Sequence, residues 1–191
     1  MTGQPLARMS VEEYLAFERS SEERHEYLGG EIFAMGGASP AHATIVLNVA
    51  AELRAQLRGR PCQAYASDLR VAIAATGLYT YPDVVVACGE LQFEEAGGVD
   101  CLTNPSVVVE VLSPSTADYD RGAKFGHYRT LPSLQEYLVL AQDHVLAEHW
   151  LRQGDGSWRF IDATDLAATL ELPSIACRLA LSDVYERVFA L

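Results

Sequence analysis

Two valine-rich segments, each with one carboxylate, constrain the fold of this chain more than any other feature. The first runs from Thr80 to Cys88 and contains Asp83, and the second runs from Ser106 to Leu112 and contains Glu110. Short segments that are apolar on both faces are typical of strands in a central sheet covered on both sides. A carboxylate persists there where a cation, a metal or several donors hold it. Backbone amides or an Arg at a strand end would explain either residue alone, but two on neighbouring strands favour a functional site.

The flanking patterns predict an α/β fold with one mixed central sheet flanked by helices. A Gly- and Glu-rich loop is expected between Cys88 and Ser106. The other predicted elements are a helix over about 10–20 that starts with a capping box at Ser10, strands around Gly29-Gly30, a long helix from Ser39-Pro40 to about Leu57, one or two strands over 62–73, a helix over 118–130, a strand over 134–140, a hairpin of 145–151 with 158–161, and a short helix over 182–186.

Length and charge limit the classes of protein that this chain can represent. Its 191 residues, 49% of them hydrophobic, fit a single domain over residues 1–191. The formal net charge of −12 argues against a protein that coats nucleic acid with a generally basic surface, although it leaves room for a local basic groove. No run reaches the ~18 apolar residues that a membrane span needs, and the polar N-terminus does not resemble a signal peptide, so we expect a cytoplasmic protein without membrane contact.

The four cysteines are widely spread along the chain. They are Cys62, Cys88, Cys101 and Cys177. They form no Cys-x-x-Cys pair, and no His stands at zinc-finger spacing, so neither a zinc site nor a disulfide framework is expected. The sequence instead predicts reduced, mostly buried thiols.

Lys124 is the only lysine among 14 cationic residues, and it follows the Glu110 strand closely. In a helix, Arg121, Lys124 and Tyr128 would share one face directed at the end of that strand. The alternative is an ordinary surface ion pair between Asp120 and Lys124, worth only ~0.3–0.5 kcal/mol. A sole lysine next to a strand that carries a carboxylate favours a role at the site, with Arg121 and Tyr128 as candidate contacts for a substrate.

Several polar residues keep two interpretations. The Ser113-Pro-Ser-Thr116 segment, with Ser115 at its centre, could cap the next helix, face a phosphate, or do both. His42, in the first turn of the long helix, could donate to phosphate or simply pack. Asp68 could be a helper carboxylate or a turn residue. His144 and His149 are interpreted as structural.

Taken together, these motifs resemble the Uma-type family of restriction endonucleases, a branch of the PD-(D/E)XK nuclease superfamily. The resemblance covers residues 10–187 and implies a restriction-endonuclease-like core, a mixed sheet flanked by helices. The matching residues are Gly30-Glu31, Gly37-Ala-Ser39 with His42, Ser67-Asp68, Pro82-Asp83, Glu110-Val-Leu-Ser-Pro-Ser-Thr116, Asp120-Arg121-x-x-Lys124-x-x-x-Tyr128 and Leu134-x-Glu136-Tyr137. The superfamily pattern places a lysine two residues after the glutamate, where this chain has Leu112. In the resembled family the lysine has moved to the following helix, which fits Lys124.

The resemblance implies metal-dependent hydrolysis of phosphodiester bonds, with DNA as the expected substrate. Asp83 and Glu110 would bind Mg²⁺, or Mn²⁺ in its place, through hard oxygen ligands. Lys124 would position water or offset charge on phosphorus. Glu31 is a candidate for a further carboxylate near the metal, although a solvent-facing Glu beside a turn is equally consistent. Restriction-type nucleases of this size often dimerise, so a homodimer is expected by analogy.

Two other functions remain open from the sequence. A nuclease-like fold without robust activity could serve as a binding module, its acidic surface meeting a basic protein. A hydrolase with a nucleophilic Ser or Cys is less well supported, because the chain has no Gly-x-Ser-x-Gly elbow and no credible Cys and His pair.

The charge is uneven along the chain, and this locates the expected nucleic-acid groove. Residues 40–70 carry four Arg against two acidic residues, and residues 106–130 carry three cations against three acids. Arg54 and Arg58 on the long helix, together with the Glu110 and Lys124 segment, are therefore the expected contacts for a phosphate backbone. Binding should be confined to one groove, assisted by metal, and weak.

Overall fold

The computed structural model describes residues 8–96 and 99–189, and for residues 95, 96, 99 and 100 it describes the backbone alone. A π-helical turn, Asp120–Lys124, joins two short helices, and a 3-10 turn covers Pro173–Ile175. The α-helices are α1 Val11–Ser20, α2 Pro40–Gln56, α3 Ala117–Tyr119, α4 Phe125–Tyr128 and α5 Leu181–Val184. The strands are β1 His25–Leu28, β2 Glu31–Ala34, β3 Cys62–Ala66, β4 Val71–Ile73, β5 Leu78–Thr80, β6 Val84–Cys88, β7 Phe93–Ala96, β8 Val99–Leu102, β9 Val107–Leu112, β10 Glu136–Ala141, β11 Ala147–Arg152, β12 Trp158–Ala163, β13 Thr169–Leu172 and β14 Cys177–Ala180.

The central sheet has six strands in the order β12-β11-β10-β9-β6-β3. Strands β9 and β10 are parallel, and their other neighbours pair antiparallel, so the sheet is mixed as predicted. Its two valine-rich strands, β6 and β9, lie side by side near the middle. The two carboxylate-bearing segments are therefore neighbours, as the sequence requires for one site.

Both faces of the central sheet are buried. On one face, Val84 and Val109 pack with Ile45 of α2 and with β13, β14 and α5. On the other face, Val108 packs with Tyr128 and a group of aromatic side chains. A strand covered on both sides buries every second residue against a different layer. This explains why the valine runs show no polar alternation.

A second six-stranded sheet has the order β2-β1-β5-β4-β8-β7. It changes two of the sequence-based predictions. The segment over 80–88 is divided between the sheets, since β5 belongs to the second sheet and β6 to the central one. Pro82, which has no backbone N–H to donate to either sheet, lies where the chain crosses between them. The predicted loop between Cys88 and Ser106 contains the hairpin of β7 and β8.

A disulfide joins Cys62 and Cys88, so the prediction that all four cysteines are reduced is wrong. The two residues face each other across the antiparallel pair of β3 and β6. They are 26 residues apart in sequence, and only the strand register brings them together. Cys101 and Cys177 are buried, as predicted.

The start of α2 is formed as the sequence predicts. Ser39 is the N-cap, its hydroxyl accepts from the backbone amide of His42 at 3.1 Å, and Pro40 is the first helical residue. This cap places His42 in the first turn, at the edge of the central sheet. In the described part of the chain, no helix is long and apolar enough to cross a bilayer.

Candidate active site

The register of the central sheet places Asp83 beside Glu110. Strands β6 and β9 are antiparallel with Val84 opposite Val109, so the next pair of positions is Asp83 and Glu110. Opposite residues of an antiparallel pair have their side chains on the same side of the sheet. The start of one valine strand and the end of the other thus bring the two predicted carboxylates together.

Two hydrogen-bond donors hold Asp83 just before the start of β6. Its Oδ2 accepts from the backbone amide of Val111 at 2.7 Å and lies 3.3 Å from Nε2 of His42. Burial lowers the pKa of His42, but the hydrogen bond and the charge of Asp83 outweigh burial and raise it overall. This environment favours the protonated form of His42 beside Asp83, and both side chains keep some exposure at the surface.

Glu110 lies deeper, where two donors share one of its oxygens. Its Oε1 lies 2.9 Å from Nζ of Lys124 and accepts from the hydroxyl of Tyr128 at 2.9 Å. Burial raises the pKa of Glu110; the Lys124 ammonium acts against this, and the negative charge of Asp83 adds to it. Burial prevails and raises the pKa of Glu110 to about 8, so this carboxyl holds its proton more readily than an exposed glutamate, and the Lys124 ammonium is the main opposing influence.

Lys124 is the centre of a buried ion cluster. Besides Glu110, its Nζ lies 3.1 Å from Oε1 of Glu26 and 3.6 Å from Oδ1 of Asp120. Burial alone would lower the pKa of Lys124, but Glu110 and Glu26 raise it well above its ordinary value. The lysine is thus an ammonium ion inside the protein. The contact between Asp120 and Lys124 exists, but it is buried and belongs to this cluster, so it is not the surface pair of the alternative interpretation.

Glu26, on β1 of the second sheet, is the site residue that the sequence analysis missed. It is 7% exposed, and its Oε1 also accepts a hydrogen bond from the Thr80 hydroxyl. Burial raises the pKa of Glu26, but Lys124 and then Thr80 outweigh burial and lower it overall. The signal that could have revealed it is the one that revealed Asp83 and Glu110: a carboxylate inside a short strand.

The irregular helix after β9 aims Lys124 at the sheet. The π-helical turn widens the helix before α4, and the backbone carbonyl of Asp120 accepts from the Tyr137 hydroxyl at 2.8 Å. Such turns are rare in proteins overall, but those that occur are often at functional sites. Lys124 and Tyr128 both reach Glu110, as predicted, but Arg121 turns away and pairs with Glu148 on β11 at 2.6 Å. The expectation that all three residues share one face at the site is wrong, because the turn is wider than an α-helix.

Tyr128 was predicted to contact substrate, and the structure places it elsewhere. The residue is completely buried, with its hydroxyl on Glu110, so a substrate cannot reach it. Its hydroxyl instead donates a hydrogen bond that holds the Glu110 side chain in place. Tyr128 is therefore a positioning residue.

Three other predicted residues lie away from the ion cluster. Glu31 forms an ion pair with Arg8 at 3.0 Å. Arg54 is twelve residues after His42 on α2, which places it about 18 Å along the helix axis, and Arg58 lies beyond the end of that helix. Both arginines therefore lie towards the end of α2 that is far from His42, and neither belongs to the ion cluster.

The hydroxyl segment closes a turn after β9. The Ser113 hydroxyl lies 3.0 Å from the hydroxyls of both Ser115 and Thr116, and Thr116 forms no side-chain cap on α3. The capping interpretation is therefore wrong for this segment. Asp68, exposed and paired with Arg24, matches the turn-residue interpretation.

The two histidines that were interpreted as structural lie in different environments. His149 is completely enclosed, with Nε2 2.6 Å from Oε2 of Glu136, on the face of the sheet opposite Glu110. His144 lies on the surface beside Asp143. Neither contacts the ion cluster.

Asp83 and Glu110 are the residues at the strand ends that could hold a hard divalent cation. Asp83 and Glu110 each keep one oxygen, Oδ1 and Oε2 respectively, to which no hydrogen bond runs from the described residues. Among all the described residues, there is no group of three or more His, Cys, Asp or Glu side chains that could hold a metal ion, so this candidate site has two protein ligands. Two carboxylates with water and substrate oxygens match the ligand pattern of Mg²⁺, which dehydrates reluctantly.

Comparisons with known proteins identify the family. The family described as "Uma2: Putative restriction endonuclease" matches residues 11–182. "Uncharacterized protein slr1290" of Synechocystis sp. is 39% identical over 184 residues, which cover 95% of this chain and 94% of that protein. "Uncharacterized protein sll1609" of the same organism is 37% identical over 163 residues, covering 85% of this chain and 92% of that protein.

A solved structure has the same fold. It is a crystal structure described as that of "a putative nuclease belonging to DUF820 from Anabaena variabilis". The TM-score is 0.76 at 18% sequence identity, and the match covers 95% of this chain and 100% of that one. The predicted mixed sheet flanked by helices is thereby confirmed, and the match over 11–182 shows that the chain belongs to the Uma2 family.

Proposed function

We propose that this protein is a metal-dependent endonuclease of the PD-(D/E)XK type that hydrolyses phosphodiester bonds in DNA. The observation that carries the proposal is the pairing of Asp83 with Glu110 at adjoining strand ends, with the Lys124 ammonium 2.9 Å from Glu110. The family, described as "Putative restriction endonuclease", supports the same reaction class.

Asp83 and Glu110 would hold Mg²⁺, or Mn²⁺ in its place, through their remaining oxygens. The bound ion would supply Lewis-acid chemistry that withdraws negative charge from the scissile phosphate. His42 and the Val111 amide hold one oxygen of Asp83, so the other stays directed at the site. The Tyr128 hydroxyl likewise holds Oε1 of Glu110, which leaves Oε2 for the metal.

Lys124 would offset the negative charge that develops on the phosphoryl oxygens. A fixed ammonium in a water-poor site stabilises such charge more than a mobile surface lysine, because it needs no reorganisation during the reaction. Its three carboxylate contacts keep it charged and in place. In this scheme Glu26 is a positioning residue that acts through Lys124.

The substrate would approach from the edge of the sheet where Asp83 and His42 retain exposure. The hydroxyls of Ser113, Ser115 and Thr116 follow β9 at that edge and are available to a phosphate backbone. Two strands of DNA require two cuts, and this favours a homodimer.

Removing the Glu110 charge tests the reaction. Glu110→Gln should lower the nicking rate of supercoiled plasmid in Mg²⁺ or Mn²⁺ at least about 100-fold, because a charged ligand and one of the three carboxylate partners of Lys124 are lost together. Glu171→Gln, at an exposed position of β13, is the matched control and should nick at the wild-type rate. Equal nicking by wild type and Glu110→Gln, purified in parallel, would mean that the activity belongs to a contaminant and the proposal is wrong.

Metal binding is a separate test, independent of turnover. Calorimetric titration should show Mn²⁺ binding to the wild-type chain and affinity at least about tenfold weaker for Asp83→Asn, since a carboxylate ligand becomes neutral. Glu171→Gln again serves as control. The alternative function, a nuclease-like binding module without activity, predicts no binding to the wild type.

The role of Glu26 is tested through Lys124. Glu26→Gln should lower kcat about tenfold with little change in KM, because Lys124 loses one of its fixed partners while the metal ligands stay. In a Lys124→Met background the same substitution should add little. Additive losses, or a loss explained by a lower melting temperature alone, would contradict the positioning role.

The assembly is tested by light scattering. At micromolar concentration, the expected mass is twice the 20.9 kDa of one chain. A mass of one chain under these conditions would refute the homodimer and leave the chemistry of the site unaffected.

A further inference from the structure

The Cys62–Cys88 disulfide and the arginines at and beyond the C-terminal end of α2, neither of which the proposed nuclease uses, meet at one place. Cys62 lines a cavity of about 350 Å³ that is also lined by Arg54, Arg58 and Arg60. We call it the cationic cavity. It lies at the C-terminal end of α2, at the opposite end from His42 and the ion cluster.

The cationic cavity carries positive charge that the protein itself does not neutralise. Arg60 donates to the backbone carbonyls of Ile175 and Ala176 at 3.2 and 3.1 Å. Arg54 and Arg58 are exposed, and no side-chain hydrogen bond or ion pair reaches either from the described residues. Among the described residues, no acidic residue lines the cavity. Two uncommitted guanidinium groups are suited to bind carboxylates.

Of the two disulfide-bonded cysteines, only Cys62 is among the described residues that line this cavity. Cys62 is on β3, the edge strand of the central sheet, and lines the cavity, whereas Cys88 is on the inner strand β6 and does not. Thiol exchange requires access for the attacking thiolate and is favoured where cations surround the cysteine. Cys101 and Cys177 are 0% and 4% exposed, which makes them poor targets.

We propose that Cys62 and Cys88 form a thiol–disulfide exchange site whose substrate is a small anionic thiol bound by Arg54 and Arg58. The incoming thiolate attacks Sγ of Cys62, a new S–S bond forms, and Cys88 leaves as a thiolate that takes up a proton. A second thiolate then attacks the mixed disulfide, releasing the small molecule as its disulfide and Cys62 as a thiol. Two electrons pass from two small thiols to the protein disulfide, and the reverse sequence reforms the bond.

The wild-type chain tests the charge preference directly. Glutathione, which carries two carboxylates, and cysteamine, which is cationic, are compared as probes at equal thiolate concentration. Alkylation and mass spectrometry follow the opening of the Cys62–Cys88 bond. Glutathione should react on the order of tenfold faster, because a cationic site raises the local concentration of an anion. Equal rates, or faster reaction with cysteamine, would overturn the proposal.

Variants assign the site and the arginines. In Cys88→Ser, glutathione disulfide should form a stable mixed disulfide at Cys62, because the resolving cysteine is gone. Adding Arg54→Gln and Arg58→Gln should slow this step on the order of tenfold and leave the rate with cystamine, a cationic disulfide, no slower. Arg159→Gln, an exposed arginine on β12, is the control. A double arginine variant that keeps the control's preference for glutathione disulfide would refute the recognition.

Discussion

A single ammonium ion inside the protein, that of Lys124, determines how the rest of the candidate site is arranged. Three carboxylates approach it within 3.6 Å, from β1, from β9 and from the π-helical turn. Removing one partner of a buried ion pair typically costs about 3–5 kcal/mol, because the remaining charge is left uncompensated. The strand ends, the widened helix and the second sheet must therefore meet at the positions observed.

The sequence predicts those parts of this arrangement that depend on local pattern. A carboxylate inside an apolar strand is visible in a sequence, and so Asp83 and Glu110 could be found before their register was known. Lys124 could be found because it is the only lysine. Glu26 carried the same kind of signal, but its partner, β5, lies some fifty residues further on, and only the pairing of β1 with β5 brings it beside Thr80 and towards Lys124.

The errors have a common cause, which is long-range geometry. Arg54 shares a helix with His42 but lies about 18 Å further along its axis, and Arg58 lies beyond the end of that helix, so neither belongs to the ion cluster. Arg121 shares a turn with Lys124, yet the π-helical widening sends it to Glu148. The disulfide depends on the register of β3 against β6, which the spacing of the cysteines does not reveal. Whether the site acts on DNA with Mg²⁺ depends on ligands outside the chain, and the sequence offers only the resemblance.

The crossing at Pro82 has a consequence for how the protein folds. The chain leaves the second sheet at Thr80 and enters the central sheet at Val84, and Asp83 lies in the short link between them. Glu26 belongs to one sheet and Glu110 to the other, and the contacts join residues nearly a hundred positions apart. Contacts of such long sequence separation form slowly, because the chain loses the entropy of loop closure before these contacts can stabilise it. The ion cluster is consequently a feature of the fully assembled chain, and neither sheet on its own contains it.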